Sequence, residues 1–156
     1  GDSAGGNLSA VCARAARDAG GPDLRLQLLI YPALAPRRDS ESHSAFGEGY
    51  VLTRDNIEWF MEQYTGGSEP VNDPHFAPSI ATNHGGQARA EIIVAGYDPL
   101  RDEGMAYAQA LSDAGVPTNL VNYEGAVHAF IQYYGTSAAC REAVEHCGAV
   151  LKEALA

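Results

Sequence analysis

The first six residues of the chain, Gly-Asp-Ser-Ala-Gly-Gly, constrain its fold more than any other feature. They contain the pattern Gly-x-Ser-x-Gly with Ser3 at its centre. This pattern is typical of a sharp turn from a strand into a helix, which exposes a serine hydroxyl above the edge of a sheet. The backbone N–H of the next residue, Ala4, can then help to bind an oxyanion. The pattern therefore predicts a serine nucleophile in an α/β fold.

Two later segments supply a candidate acid and a candidate base in chain order. Asp98 follows residues 91–96, a short run rich in β-branched residues that predicts a central strand. His128 comes shortly after residues 118–123, which predict the last strand. An imidazole can take a serine proton and return it to a leaving alcohol, and a carboxylate can hold the imidazole in the right tautomer. The order Ser, Asp, His is that of an α/β-hydrolase triad.

Taken together, GDSAGGN, the later YDPLRDEG and the final HAF resemble the hormone-sensitive-lipase-like branch of the α/β-hydrolases, a family of serine esterases and lipases. The resemblance runs along nearly the whole chain. It implies that residues 1–156 are the C-terminal part of one α/β-hydrolase catalytic domain. Family members carry several strands and an HGGG-type oxyanion loop before the nucleophile, and this sequence contains no such loop.

The resemblance also selects among alternatives for the base and the acid. The chain has four other histidines, and only His128 follows the last predicted strand at the place that the resemblance requires; the others are His43, His75, His84 and His146. Asp102 competes with Asp98 for the acid. We favour Asp98 because catalytic groups gather at the carboxyl ends of strands in open α/β sheets. Asp102 and Glu103 instead precede an Ala-rich helix, whose N-terminus they would stabilise.

Periodicity in the rest of the chain predicts alternating strands and helices. Residues 7–19, 53–65 and 137–155 show apolar residues at helical spacing, and residues 24–31 form an apolar run that suits a buried parallel strand. Residues 33–50 show little periodicity and are predicted as a long polar connection. The expected fold is the C-terminal portion of an α/β-hydrolase, parallel strands with alternating helices, its N-terminal strands absent from this chain.

Residues 33–80 are a candidate cap-like insertion, because similar family members have an insertion here that contributes to the cover of the active site. The resemblance thus implies that Trp59, Phe60 and Tyr64 face an acyl pocket, together with Phe130 of the HAF segment. An alternative applies to Phe60 and Met61, whose helical spacing also suits plain packing of the helix. Trp59 lies off that apolar stripe, so the sequence leaves its direction open.

The charge and composition of the chain limit the classes of partner that it can bind. The formal net charge of −10 argues against nucleic acid and anionic membrane surfaces, and no apolar run is long enough to cross a membrane. The acidic excess either favours neutral or cationic substrates or only keeps the protein soluble. Three cysteines without metal-type spacing suggest reduced thiols in the cytoplasm, with Cys140 and Cys147 on the core face of one helix.

These observations predict a serine carboxylic-ester hydrolase that acts through an acyl-enzyme on small to medium acyl esters, without a metal or organic cofactor. Ser3, Asp98 and His128 are its candidate catalytic residues and the N–H of Ala4 its candidate oxyanion donor. The alternative is an inactive fragment or small-ligand binding module. Its partner would be the missing N-terminal half of the same protein or a second copy, paired through the exposed sheet edge.

Overall fold

A computed structural model describes all residues, 1–156, and it has five helices and three strands. The elements are α1 (Ala4–Asp18), β1 (Gln27–Ile30), α2 (Glu41–Phe46), α3 (Arg54–Thr65), β2 (Ala90–Tyr97), α4 (Arg101–Asp113), β3 (Thr118–Val127) and α5 (Ala138–Leu155). Two short 3₁₀ turns cover Pro78–Ile80 and Phe130–Tyr133. None of the helices is both long and apolar enough to cross a membrane.

The three strands form one parallel sheet in the order β1-β2-β3. The first residues of the chain extend this sheet. Asp2 forms a parallel β-bridge with Ile30, and the Ser3 N–H donates a hydrogen bond to the Ile30 carbonyl at 2.9 Å. All carboxyl ends therefore lie at one edge of the sheet, where residues 3, 98 and 128 follow their strands. The predicted parallel α/β architecture is confirmed.

The apolar core lies on both faces of the sheet, as the uninterrupted burial of β2 requires. On one face α1 and α4 pack against the sheet, with Leu29, Ile92 and Leu111 fully buried. On the other face α5 contributes Cys140 and Cys147, which are buried beside Ile93. The sequence predicted this core position for both cysteines, and the structure confirms it.

Sequence signals at the helix ends agree with the structure. Thr53 precedes α3 and makes a reciprocal capping box with Asn56, and Gly66 ends the helix with a positive φ of 64°. Such a box satisfies two amide donors at the start of a helix, and glycine adopts the left-handed end conformation without a Cβ clash. Helix α3 is therefore delimited by local sequence alone.

Two elements differ from the sequence-based expectation. Helix α2 lies inside residues 33–50, which were predicted to be a connection without helix; it has only six residues and its N-cap is Ser40. Strand β3 runs to Val127, four residues beyond the predicted strand over residues 118–123. The extension follows from a register shift between Ala95 and Tyr97, after which Tyr97 pairs with Val127. His128 therefore follows its strand directly.

Residues 33–80 lie over the carboxyl edge of the sheet. A small buried cluster joins Leu52 and Ile57 of this segment to Leu100, which precedes α4. Arg38 and Glu69 form a two-fold ion pair with N–O distances of 3.0 and 2.6 Å, which ties the two ends of the segment together. The segment is thus held by an internal ion pair and by apolar contact with the edge of the sheet.

Candidate active site

Ser3 occupies the turn between the chain start and α1. Its backbone has φ 52° and ψ −118°, a conformation that residues other than glycine rarely adopt. The turn is held by the hydrogen bond from the Ser3 N–H to Ile30 and by the Ser3 carbonyl, which accepts from the N–H groups of Asn7 at 3.1 Å and Ala33 at 3.3 Å. These contacts leave the side chain of Ser3 on the cavity described below.

Asp98 follows β2 and is completely buried. Its Oδ1 accepts a hydrogen bond from the Leu100 N–H at 2.8 Å, while its Oδ2 lies 2.6 Å from Nδ1 of His128. The backbone bond fixes the carboxylate orientation. The second oxygen is thereby directed at the imidazole, which a carboxylate can hold in the Nδ1–H tautomer.

His128 joins the other two residues. Its Nε2 lies 3.0 Å from the Ser3 Oγ, and its ring packs on Tyr31 with ring centroids 4.8 Å apart. With Nδ1–H donating to Asp98, Nε2 is free to accept from the serine hydroxyl. The three residues that the sequence selected therefore form one continuous hydrogen-bonded chain.

The competing acidic and imidazole groups lie elsewhere. Asp102 accepts the Ser42 N–H at 2.8 Å and pairs with Arg101; burial alone would raise its pKa, but these bonds hold the pKa below its usual value. Nε2 of His146 lies 2.6 Å from Oε1 of Glu91, at the amino end of β2. Burial, chiefly, lowers the pKa of His43 and of His84, and neither ring touches Ser3.

Glu103 differs from the expected role at a helix N-terminus. It lies in the first turn of α4, but its carboxylate accepts the backbone N–H groups of Leu34 at 3.1 Å and Ala35 at 3.0 Å. Its side chain is therefore turned towards another segment of the chain and not to the N-terminal amides of its own helix. Burial raises its pKa to about 8, against the effect of the two N–H donors.

Ala4 is the first residue of α1, and its N–H belongs to the first helical turn, where amides have no intrahelical acceptor. Ala4 also lines the cavity next to Ser3. A free amide at a helix N-terminus favours negative charge nearby. This position suits an oxyanion donor.

An apolar cavity of about 550 Å³ opens over Ser3 and His128. Phe60 and Tyr64 of α3 line it, whereas Trp59 and Phe130 do not. Trp59 is exposed to solvent, and Phe130 is buried against Tyr31 and Tyr123. Of the four residues predicted to contact substrate, the structure thus brings two to the cavity.

The cavity also has lining residues that the sequence reasoning missed, because they come from separate parts of the chain. They are Asp2, Asn7, Leu8, Ala33, Ala35, Leu52, Ile57, Met61, Phe76, Leu100 and Gln132. Asp2 is the one carboxylate among them. Its Oδ2 accepts hydrogen bonds from Tyr31 Oη at 3.4 Å and from Gln132 Nε2 at 3.3 Å. No group of three or more His, Cys, Asp or Glu side chains is arranged to hold a metal ion.

This arrangement has the parts that acyl transfer requires. A hydroxyl is a weak nucleophile at neutral pH, and an imidazole at hydrogen-bond distance can remove its proton during attack. A buried carboxylate on the other ring nitrogen stabilises the imidazolium that results. The adjacent cavity is large enough for a small organic molecule.

Comparison with known proteins gives a consistent answer. A family model described as alpha/beta hydrolase fold matches residues 1–132. The "Carboxylic ester hydrolase LipN" of Mycobacterium tuberculosis is 44% identical over 139 residues, which are 86% of this chain and 37% of that protein. The "Ethyl acetate hydrolase" of Pseudomonas putida is 36% identical over 135 residues, 85% of this chain and 42% of the relative.

A solved structure agrees with these relatives. The hyperthermophilic esterase from the archaeon Pyrobaculum calidifontis superimposes with a TM-score of 0.93 and 38% identity, over 98% of this chain and 51% of that one. The chain thus spans about half the length, or less, of the relatives that it matches. Over the length that they share, it belongs to the hormone-sensitive-lipase-like branch of the α/β-hydrolase fold family.

Proposed function

We propose that the protein is a serine carboxylic-ester hydrolase that acts through an acyl-enzyme intermediate on small to medium acyl esters. The observation that carries the proposal is the continuous chain from Ser3 Oγ to His128 Nε2 at 3.0 Å and from His128 Nδ1 to Asp98 Oδ2 at 2.6 Å. The printed names of its relatives, a carboxylic ester hydrolase and an ethyl acetate hydrolase, support the same class of reaction.

In the proposed mechanism, His128 Nε2 accepts the Ser3 hydroxyl proton as the serine oxygen attacks the ester carbonyl. The carbonyl oxygen becomes an oxyanion, to which the Ala4 N–H donates; loss of one such donor typically costs about 10²–10³ in rate. The protonated His128 then gives its proton to the departing alcohol, which leaves the acyl group on Ser3. A water molecule then gives a proton to His128 and attacks the acyl group, and His128 returns the proton to the Ser3 oxygen as the acid leaves. Asp98 orients His128 throughout.

The cavity supports the preference for small to medium acyl chains. Its volume of about 550 Å³ lies within the usual range for small-molecule sites, and most of its lining residues are hydrophobic. We assign Phe60 and Tyr64, and neither Trp59 nor Phe130, to substrate contact. Residues 33–80 act as the cover of the pocket in this proposal, since α3 supplies its outer wall.

Hydrolysis of p-nitrophenyl esters from acetyl to dodecanoyl tests the proposal. Ser3→Ala is expected to lower kcat at least about 10³-fold, whereas Ser9→Ala, on the same helix, should stay close to the parent. A fluorophosphonate probe followed by peptide mass spectrometry should add its phosphonyl group to Ser3 only. Full activity of Ser3→Ala, or a probe adduct at another residue, would contradict the assignment.

The acyl pocket has its own matched pair of variants. Phe60 and Trp59 are neighbours of similar exposure, 52% and 57%, but only Phe60 lines the cavity. Phe60→Ala should therefore raise KM for hexanoyl and longer esters several-fold, on the order of the loss of one aromatic contact. Trp59→Ala should leave the KM values unchanged, and equal effects of both substitutions would count against the assigned pocket.

A further inference from the structure

Residues 33–35, which we call the wall segment, form part of the cavity without belonging to a helix or strand. Ala33 and Ala35 line the cavity, while the side chain of Leu34 between them is buried in the core. The Leu34 carbonyl accepts the Ser79 N–H at 3.3 Å, and the Ala33 N–H donates to the Ser3 carbonyl. The wall segment thus touches the turn that bears the nucleophile.

Asn7 holds the wall segment from the side of α1. It lies one helical turn after Ser3, and its N–H bonds the Ser3 carbonyl at 3.1 Å. Its side-chain Nδ2 donates to the Ala33 carbonyl at 2.7 Å and to the Phe76 carbonyl at 2.9 Å. Ala33 and Phe76 both line the cavity. One amide group thereby fixes two parts of the cavity wall to the helix of the nucleophile.

Glu103 holds the same segment from the side of α4. Its two oxygens accept separate N–H groups, Oε1 that of Leu34 and Oε2 that of Ala35. Glu103 is linked in turn to the loop of the acid, because α4 begins at Arg101, whose N–H donates to the Asp98 carbonyl at 3.1 Å. A half-buried side chain, Asn7, and a buried one, Glu103, from the helices next to Ser3 and Asp98, therefore meet on one three-residue backbone.

On the basis of the proposed function, we infer that Asn7 and Glu103 are positioning residues that fix the wall segment relative to Ser3 and so determine which acyl chain lengths fit. Neither side chain bonds a triad atom, so their effect passes through the backbone of residues 33–35. Because a cavity wall of two alanines has no side-chain bulk to adjust, its position depends on where these hydrogen bonds hold the backbone. A shift of about 1 Å at such a wall is enough to change rates strongly.

Two conservative substitutions test the inference. The assays are run at a pH above the Glu103 pKa of about 8, where both carboxylate oxygens accept hydrogen bonds. There Glu103→Gln keeps the shape of the side chain but places an NH₂ group opposite one of the two N–H donors, so one bond is lost. Asn7→Asp places a carboxylate against the carbonyls of Ala33 and Phe76. The matched controls are Glu145→Gln and Asn122→Asp, which make the same chemical changes at exposed positions of α5 and β3. Asn7→Ala, which only removes the donor, provides a milder third variant.

We expect the acyl-chain profile to change, not the reactivity of Ser3 itself. In Glu103→Gln and Asn7→Asp, kcat/KM for hexanoyl and longer esters should fall on the order of tenfold, mainly through KM. The rates of Glu103→Gln, which does not line the cavity, for the acetyl ester and for fluorophosphonate labelling should stay within about threefold. Amide hydrogen exchange of residues 33–35 should become faster, while exchange in α1 and α4 stays as in the controls.

The outcomes separate this inference from the proposed function. An active parent whose variants keep the same acyl-chain profile, or lose activity equally on all esters, would overturn the positioning role alone. Unchanged exchange at residues 33–35 would overturn it as well. A parent that neither hydrolyses the esters nor reacts with the probe at Ser3 would instead overturn the proposed function.

Discussion

At the scale of single residues, backbone strain is concentrated around the triad. Three residues other than glycine have a positive φ: Ser3 at 52°, Tyr31 at 36° and Ala129 at 62°. Ser3 is a member of the triad, Ala129 follows His128, and the ring of Tyr31 packs on the His128 ring. Such conformations cost about 1–3 kcal/mol each and persist where the surrounding structure enforces them. The strained backbone thus lies where the fold holds the Ser3 hydroxyl and the His128 imidazole, and it lowers the stability of the folded chain.

The two neighbouring aspartates should differ sharply when each is changed to asparagine. Asp98→Asn is expected to lower kcat about 10⁴-fold, because an amide favours the wrong imidazole tautomer. Asp102→Asn should lower kcat less than about tenfold, since Asp102 bonds Ser42 and Arg101 and not the histidine. Steady-state kinetics with the acetyl ester measures both. Equal losses would mean that the acid is misassigned.

Glu103 should give stability a distinctive pH dependence. Its pKa is raised to about 8 in the folded chain, mainly by burial, whereas an unfolded glutamate has a pKa of about 4.3. Between these values the folded chain binds a proton that the unfolded chain does not, so the free energy of unfolding falls as the pH rises from about 5 to 8.

Glu103→Gln removes the titrating group, so this part of the decline should disappear. Urea unfolding at several pH values between 5 and 8 compares the two proteins, and Glu145→Gln is the control that should retain the parental slope. Parallel curves for the parent and Glu103→Gln would show that Glu103 is ionised throughout this range.

At the scale of elements, the extension of β3 depends on a close approach between two strands. A Cβ atom added to Gly96 would overlap the carbonyl of Glu124. Gly96→Ala should therefore lower the free energy of unfolding by about 1–3 kcal/mol. Gly148→Ala, inside α5 where a Cβ meets open space, should raise it by about 0.5–1 kcal/mol. Chemical denaturation measures both, and an unchanged free energy of unfolding in Gly96→Ala would contradict the close approach of the two strands.

Elements with strong local signals were predictable, and those that depend on distant contacts were not. Helix α3 has its own capping box and terminal glycine, and the position of β2 follows from its β-branched run. Helix α2 has only six residues, and it is held in place by Ser42, whose Oγ donates to the Pro99 carbonyl at 2.7 Å. The end of β3 depends on a register shift against β2. Neither contact leaves a periodic pattern in the sequence.

The same division applies to the candidate site. The strand ends placed Ser3, Asp98 and His128 at one edge, and the structure has them within hydrogen-bond distance. Asn7 and Glu103 were not foreseen, because their partners lie 26 to 69 positions away along the chain. The local signal was the position of Glu103 at the start of a predicted helix, which indicated that its carboxylate stabilises the N-terminus of that helix. Tertiary hydrogen bonds outweigh that local preference here.

At the scale of the whole molecule, the net charge of −10 should affect the choice of substrate. The carboxylate of Asp2 adds to this field inside the cavity. At low salt, an ester with a cationic alcohol should show a higher kcat/KM than an anionic ester of equal size, by roughly tenfold or more.

Because salt screens charges over about 10 Å at 0.1 M, the ratio of the two kcat/KM values should shrink towards one at high salt. Assays of the paired esters from 10 mM to 1 M sodium chloride measure it, with a neutral ester as the control. A ratio that does not depend on salt would mean that the acidic surface serves solubility alone.

The spacing of the triad along the chain has a consequence for how activity arises during folding. Ser3 and His128 are 125 positions apart, so their hydrogen bond closes a loop that contains most of this chain. Contacts of such high sequence separation form late, because their entropy cost is met only after the elements between them are in place. Recovery of the proposed esterase activity would thus mark completion of the native state.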